Sequence, residues 1–564
     1  MNDFTYQTTF VAAAVERLLT LLDNDSWSPT FGCAHPAYWR DKTVEMADMR
    51  RQELMLPLAL LYRRDYPGSC WRGDARLLRA ASALLAFWVR NRYDDGSMDE
   101  WYKGERAFAA AAFSTFAVAR TLGLLAEHLE PDLLRRARRG LARTAGWLAR
   151  RNDLFKSNHQ AVGVAALAWA ARQLDDPAWE VEARRKLSRL LATQTREGWF
   201  PELGHVDPGY TFLTVEYVGM ALSLWQETGE GGNAMVRAME FACGWVHPDL
   251  TLGDEYGVCH NPYLSRIAAI LMTPRSPLAA RLVDRWQERS SGFAGLASTL
   301  GDDLRLTRWA FQPLLAWDFL NGVEPGLKGI PLMPLPLPLE PGGKQKEAIF
   351  SEAGLIRLDI GSCRGVFAPV AGGLVRLFGP GGATLTDGGY VLAQDGCIIN
   401  MFGYNRQRPM RHEPPCHEVT IFMAPVRKFF PSLTQRLILR LLCTTATGSR
   451  WTRNGIDWIR RRKATPINQS SANLKGGTSP WRVIRRVVPG IDEVEIQDHL
   501  LFDRPEAISQ LSMITREDLE PWRTRPVLEL FSRLPARTHA LQVIKRWQWK
   551  CGRWQLAIIM DPKI

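Results

Sequence analysis

Pro331-Leu332-Met333-Pro334-Leu335-Pro336-Leu337-Pro338 divides this sequence into two textures. Proline lacks an amide hydrogen and fixes φ, so a run this dense is neither helix nor central strand. It reads as a stiff, extended linker over 325–343. The 564 residues exceed what one hydrophobic core usually organises, so a domain is expected on each side, 1–324 and 344–564.

Upstream, apolar residues recur at three- and four-residue steps, as in Leu78, Ala81, Leu85 and Trp88. The pattern predicts helices near 8–23, 44–64, 74–92, 105–128, 131–150, 159–174, 178–196, 211–228, 233–245, 263–273, 277–290 and 304–320. Pro131 and Pro177 fall near helix starts, and Gly229 follows a helix end. About twelve helices in succession make six antiparallel hairpins, and closing them into a ring gives an (α/α)6 toroid. Downstream, short alternating runs such as Leu355-Ile356-Arg357-Leu358 and Glu493-Val494-Glu495-Ile496 are separated by turn signals. They predict an antiparallel β-sandwich, so the fold class is α+β and multidomain.

The formal charge is +12, with one dense run at Arg460-Arg461-Arg462-Lys463. This balance favours an anionic partner: nucleic acid, membrane surface or acidic glycan. No nucleic-acid-reading signature accompanies it, which leaves an acidic glycan ahead of RNA or DNA. Nine scattered cysteines without a C-x-x-C pair suit a reducing compartment. The N-terminus lacks a basic, then apolar leader, so the expected location is cytoplasmic, or periplasmic if a signal was trimmed. No apolar run reaches the ~20 residues of a membrane span. Oligomeric state is not legible.

Consecutive loops in a ring of hairpins alternate between its two ends. One set is short: 65–73, 129–130, 175–177 and 229–232. The other is long and polar: 24–43, 93–104, 151–158, 197–210 and 246–262. Long loops in a compact domain are usually functional, and counting puts these five at one end. They and the helix starts beside them carry Tyr93, Asp99, Glu100, Trp101, Asn158, His159, Trp199, Glu202, His205, Asp207, Tyr210, Glu255, Tyr256 and His260. Aromatic faces suit sugar rings, while Asn, His and Tyr give directed hydrogen bonds. Structural alternatives stand beside these roles. Asn158 also suits a helix N-cap, Asp207-Pro208-Gly209 a turn, and Tyr210 a helix anchor. Asp99 and Glu100 also suit solvated loop charges, and Trp101 a packed lid.

With these residues in place, the chain resembles the heparinase II/III-like polysaccharide lyases, and the alginate lyases and uronyl epimerases of the same architecture. The resemblance spans toroid, linker and β-sandwich. It is carried locally by Asn158-His159, by Tyr210 one hairpin later, and by Phe350-Ser351-Glu352-Ala353-Gly354-Leu355 at the β-domain entry. It implies that Asn158 and a protonated His159 neutralise a uronate carboxylate while Tyr210 acts as base or acid. A β-domain histidine, His412 or His417, would complete the pair. A basic Tyr210 needs nearby positive charge to lower its phenol pKa, and Arg266 is the candidate source. No cofactor is expected. His412, Cys416 and His417 would suit a divalent metal, but a full ligand set is not evident.

The implied reaction is C5 proton abstraction and β-elimination on a uronate-containing acidic polysaccharide. Reprotonation without cleavage would give C5-epimerisation from the same residues. The toroid also suits glycoside hydrolysis, for which Asp99, Glu100, Glu202, Asp207, Asp254 and Glu255 supply carboxylates. A third class is a non-catalytic glycan-binding protein of polysaccharide biosynthesis.

Overall fold

The computed structural model of the chain describes residues 1–227, 229–288, 302–341, 347–394, 397–401, 410–413, 416–425, 432–443, 481–502, 508–516, 527–531 and 540–563, with shorter pieces between 445 and 455. Among the described residues, six helices form an inner ring: Met55–Arg63, Phe108–Leu125, Ser157–Leu174, Pro208–Trp225, Arg266–Met272 and Phe311–Leu320. Each packs on the next, and the last packs on the first. Outside them run Ala75–Asn91, Pro131–Ala149, Ala178–Leu191, Glu230–Cys243, Pro277–Glu288 and Asp3–Ala13.

Patterning explains the two layers. In the inner helix Pro208–Trp225 every residue from Thr211 to Ser223 is buried, because neighbours surround it. In the outer helix Pro131–Ala149, Leu133, Ala137, Leu141, Ala145 and Leu148 form one buried stripe. Phe108–His128 has the length and hydropathy to cross a membrane, but 83% of its apolar window is buried within the ring.

Some boundaries differ from the sequence reading. The N-terminal helix breaks at Ala14 into Asp3–Ala13 and Val15–Thr20. The expected helix 44–64 opens as a 3-10 turn, Met49–Leu54, which carries Arg50, Gln52 and Glu53 into the buried interior. Gly229 is the N-cap of Glu230–Cys243 and does not end the preceding helix, which closes on left-handed Gln226.

The proline-rich segment is extended but not free. Its Leu332 and Leu335 amides donate to Thr273 and Pro277 carbonyls (3.0 and 3.3 Å), and Leu337 and Leu339 are buried. Glu340 anchors its end through Arg281 and Arg285. Beyond it lie two antiparallel sheets. One is a meander of Ala348–Phe350, Leu355–Ile360, Cys363–Ala368, Leu374–Phe378 and Thr384–Gln394, continued by Ile508–Arg516 and Val527–Phe531, with Cys397–Asn400 and Ala424–Pro425 attached to it. The other orders Arg553–Lys563, Ala540–Lys550, Glu493–Phe502, Trp481–Gly490, Cys416–Phe422 and Met410–Glu413. An element absent from the sequence reading, the helix Leu433–Cys443, interrupts the strands.

The β-domain is joined to the long-loop end of the ring. Glu197 accepts the backbone N–H groups of Glu352 and Ala353 (2.8 and 2.9 Å). The Phe350 ring packs on Trp245 and Phe241, with centroids 5.1 and 5.6 Å away. Arg376 forms an ion pair with Glu255, whose carboxyl is held at about 2: burial opposes ionisation, but Arg376 prevails.

Candidate active site

The long loops meet one another, as their parity requires. The Ser157 hydroxyl donates to the Pro201 carbonyl (2.6 Å), and the Leu203 amide to Phe155 (2.8 Å). The Met49 amide reaches Asp99 O (3.1 Å), and the Val258 amide reaches Val206 O (3.1 Å). Close approach depends on glycine: a Cβ on Gly257 would collide with the Asp207 carboxylate, and one on Gly209 with the Asn261 carbonyl.

Asn158 and His159 lie in the first turn of Ser157–Leu174, whose N-cap is Lys156, so Asn158 is not the cap. The Asn158 side chain is buried beside Glu202, and among the described residues its Nδ2 meets no acceptor at hydrogen-bond geometry. His159 Nδ1 lies 2.8 Å from Asp153 Oδ2. Burial foremost, then the Lys156 charge, lowers the imidazole pKa against the opposing pull of Asp153. The ring is therefore neutral at pH 7, in contrast to the protonated His159 that the resemblance implies.

Tyr210 sits in the first turn of Pro208–Trp225, where Asp207 caps the helix by accepting the Tyr210 amide (3.0 Å). Burial raises the phenol well above its ordinary value. The charges of Glu202, Cys259 and Asp207 add to this, while Arg50 opposes it. Burial also pushes Glu202 up to about 8 and Asp207 up to about 7. The site thus holds a protonated phenol and a protonated Glu202 at neutral pH.

The cation near Tyr210 is Arg50, which the sequence reading did not single out. Its guanidinium lies 3.6 Å over the Phe113 ring, which in turn makes a T-shaped contact with His159 (centroids 6.2 Å apart). Arg50 pairs with Glu53 (2.9 Å) and faces Glu100 (3.8 Å), which also binds Arg308 (3.1 Å). A charged Arg-Arg-Gln-Glu run opening an otherwise apolar inner helix was the available signal, since inner helices have no solvent-facing side. Asp153, in a loop already singled out, was legible as a carboxylate shortly before His159.

Other expected site residues are placed elsewhere. Arg266 binds Asp3 (2.6 Å) and lies over Trp286, so it packs the ring rather than polarising Tyr210. Tyr93 donates to Asp99 (2.6 Å), and Asp99 accepts the Gly104 and Arg106 amides; both residues shape their own loop. Trp199 is a core residue against Phe241, not a sugar platform. Glu255 and fully buried Tyr256 belong to the joint with the β-domain. Trp101 and His260 are exposed, and His205 is half-buried and backbone-paired with Glu202. His417 points into the sandwich in alternation with Val419 and Ile421, 3.1 Å from Glu347, and does not overhang the cleft. His412 pairs opposite it along the backbone, but its side chain lies outside the described residues. Among the described residues, no group of three or more His, Cys, Asp or Glu is placed to hold a metal.

A closed helical ring bearing a two-sheet β-domain, with polar loops at the joined end, is a fold shared with two polysaccharide lyases of known structure. A Paenibacillus xanthan lyase superposes with a TM-score of 0.53 at 12% identity, covering 99% of this chain and 55% of that one. The chain therefore spans little more than half of that enzyme. The chondroitin AC lyase of Streptomyces coelicolor A3, in complex with chondroitin sulphate, gives 0.55 at 10% identity, covering 99% and 76%. A heparinase III structure aligns at 0.48 and 11% identity, covering 91% and 74%. No protein-family model and no curated protein matches the chain. At such identity the likeness is one of fold.

Proposed function

We propose that the chain is a lyase acting on a uronate-containing acidic polysaccharide by C5 proton abstraction and β-elimination. The observation that carries this reading is the placement of Asn158, His159 and Tyr210 in the first turns of two inner helices packed side by side, with Arg50 over the Phe113 ring that meets His159. The proton alpha to a carboxylate is weakly acidic, so its removal needs the growing charge on that carboxylate to be stabilised. The Asn158 amide and the Arg50 guanidinium supply donors for it. With Nδ1–H held by Asp153, His159 presents Nε2 as the base. The C5–H electrons form the C4–C5 double bond and the C4–O bond breaks. The protonated Tyr210 phenol then gives its proton to the departing oxygen. These side chains supply all the acid–base chemistry, without a cofactor.

Glycoside hydrolysis has one observation in its favour, the Glu202 carboxyl at about 8, suited to a general acid. Its partner carboxylate is less suited, because Asp207 is engaged by the backbone amides of Tyr210 and Cys259. The test is incubation with a panel of polyuronates in deuterated water. Elimination gives an ultraviolet-absorbing unsaturated uronate. Deuterium at C5 without cleavage indicates epimerisation, and a new reducing end without the chromophore indicates hydrolysis. Binding with none of these leaves a glycan-binding protein. Any of the last three outcomes sinks the lyase reading.

A further inference from the structure

The helix Leu433–Cys443 is built by local rules, yet none of its residues up to Leu442 is buried. The Gln435 amide donates to Ser432 Oγ (3.2 Å) while the Ser432 amide donates to Gln435 Oε1 (2.9 Å), a reciprocal N-terminal box. Every residue from Ser432 to Leu442 is exposed. Among them Leu433 and Leu441 are 74% and 70% accessible, and Leu437 and Ile438 51% each. Folded chains rarely leave so contiguous an apolar surface to water without a partner for it.

Charge identifies the partner. Arg436 and Arg440 stand one turn apart beside the apolar face. From Val426 to Lys463 the sequence has ten arginines and lysines against a single acid, Asp457, so this stretch holds three quarters of the chain's net charge of +12. It also contains Phe429, Phe430, Trp451 and Trp458. A protein groove would cover the leucines without needing the cations. An acidic polymer would bind the cations and leave the leucines wet. A bilayer with anionic headgroups satisfies both, because an amphipathic basic helix lies at the headgroup–acyl boundary.

We propose that the helix Leu433–Cys443, through its exposed leucines and its Arg436 and Arg440, docks the protein on an anionic lipid surface. Arg440 also reaches Glu45 (2.9 Å), just before the turn that carries Arg50, so the anchor stands beside the mouth of the ring. Docking there holds the cleft entrance next to the membrane.

The test is co-sedimentation of the full-length protein with phosphatidylcholine vesicles, with or without phosphatidylglycerol. Binding is expected to be roughly tenfold tighter with phosphatidylglycerol and to weaken as salt is raised. Leu437→Glu with Leu441→Glu should remove roughly tenfold of it, and Arg436→Glu should weaken it in the same direction. All are exposed positions, so thermal melts should match the parent protein. The proposal is overturned if phosphatidylglycerol makes no difference, or if the leucine variant binds like the parent. It is equally overturned if a soluble polyuronate binds this segment while vesicles do not. The same holds if the leucine variant changes only the oligomeric state in lipid-free buffer.

Discussion

Asp153 Oδ2 lies 2.8 Å from His159 Nδ1, and this contact decides which ring nitrogen faces the reaction. With Nδ1 engaged, the working lone pair is on Nε2. Asp153→Asn keeps the shape but loses the preference for that tautomer, so kcat should fall by about 10²-fold. His159 already titrates below its ordinary value, chiefly through burial and then Lys156, with Asp153 pulling it upward. The acidic limb of the rate profile should therefore lie below the usual imidazole range, and in Asp153→Asn it should move lower still. An acidic limb that rises in the variant would remove His159 from the role of base.

Tyr210 is expected to serve as an acid because its phenol is held protonated, foremost by burial and next by Glu202. Tyr210→Phe should lose about 10²–10⁴ in kcat with little change in KM. The parent enzyme should show no alkaline limb from this group within the ordinary phenol range. Steady-state kinetics on a cleaved polyuronate would decide it, and near-parental kcat in Tyr210→Phe would end the proposed leaving-group step.

The ring, the sandwich and the functional end of the ring were legible because each rests on a repeating pattern. Helical periodicity gives the hairpins, and loop parity gives the face without any tertiary information. Individual contacts were harder. Nothing in the spacing of Arg266 shows that Asp3, at the far end of the helical domain, will take its charge. Trp199 and Tyr256 looked like sugar platforms from composition, yet the turn geometry of their loops directs both rings inward. In the sandwich, Val483, Arg485 and Val487 share the inward parity, so Arg485 is buried with Lys545 against Asp387 and Asp498. Alternation placed that arginine inside, but only the opposing strands reveal what neutralises it.

Stability should fall as pH rises from about 5 to 8. The folded pKa of Glu202 is pushed up to about 8, chiefly by burial, and those of Asp207 and Glu216 to about 7. A carboxyl raised on folding binds its proton more tightly in the native state. Its contribution is fully present below the unfolded value and disappears as pH passes through the folded one. Glu202→Gln cannot ionise, so its melting temperature should decline less across this window, with the remaining slope due to the other carboxyls that burial raises to about 7, Glu53, Glu105, Asp207 and Glu216. Thermal melts of both proteins over this pH range test it, and identical slopes would place the Glu202 carboxyl near its ordinary value.

Arg50 and Arg266 provide the sharpest separation of chemistry from scaffolding, because both are basic, both stack on aromatic rings and only one lies near Tyr210 and His159. Arg266 pairs with Asp3, tying the inner helix Arg266–Met272 to the N-terminal helix. Arg266→Ala removes the counter-charge of the largely buried Asp3, which keeps only the weaker Gln7 amide donor (3.2 Å) among its side-chain partners in the described residues, and this costs about 3 kcal/mol. It should therefore lower the melting temperature and leave kcat near parental. Arg50→Lys keeps a positive charge but loses the planar fork over Phe113, so it should bind a substrate carboxylate less well. Its kcat/KM should drop by roughly 10²-fold, with a smaller change in melting temperature than Arg266→Ala gives. The opposite pattern would transfer the electrostatic role back to Arg266. It would also mean that the charged turn at Met49–Leu54 supports the ring's interior and not its chemistry.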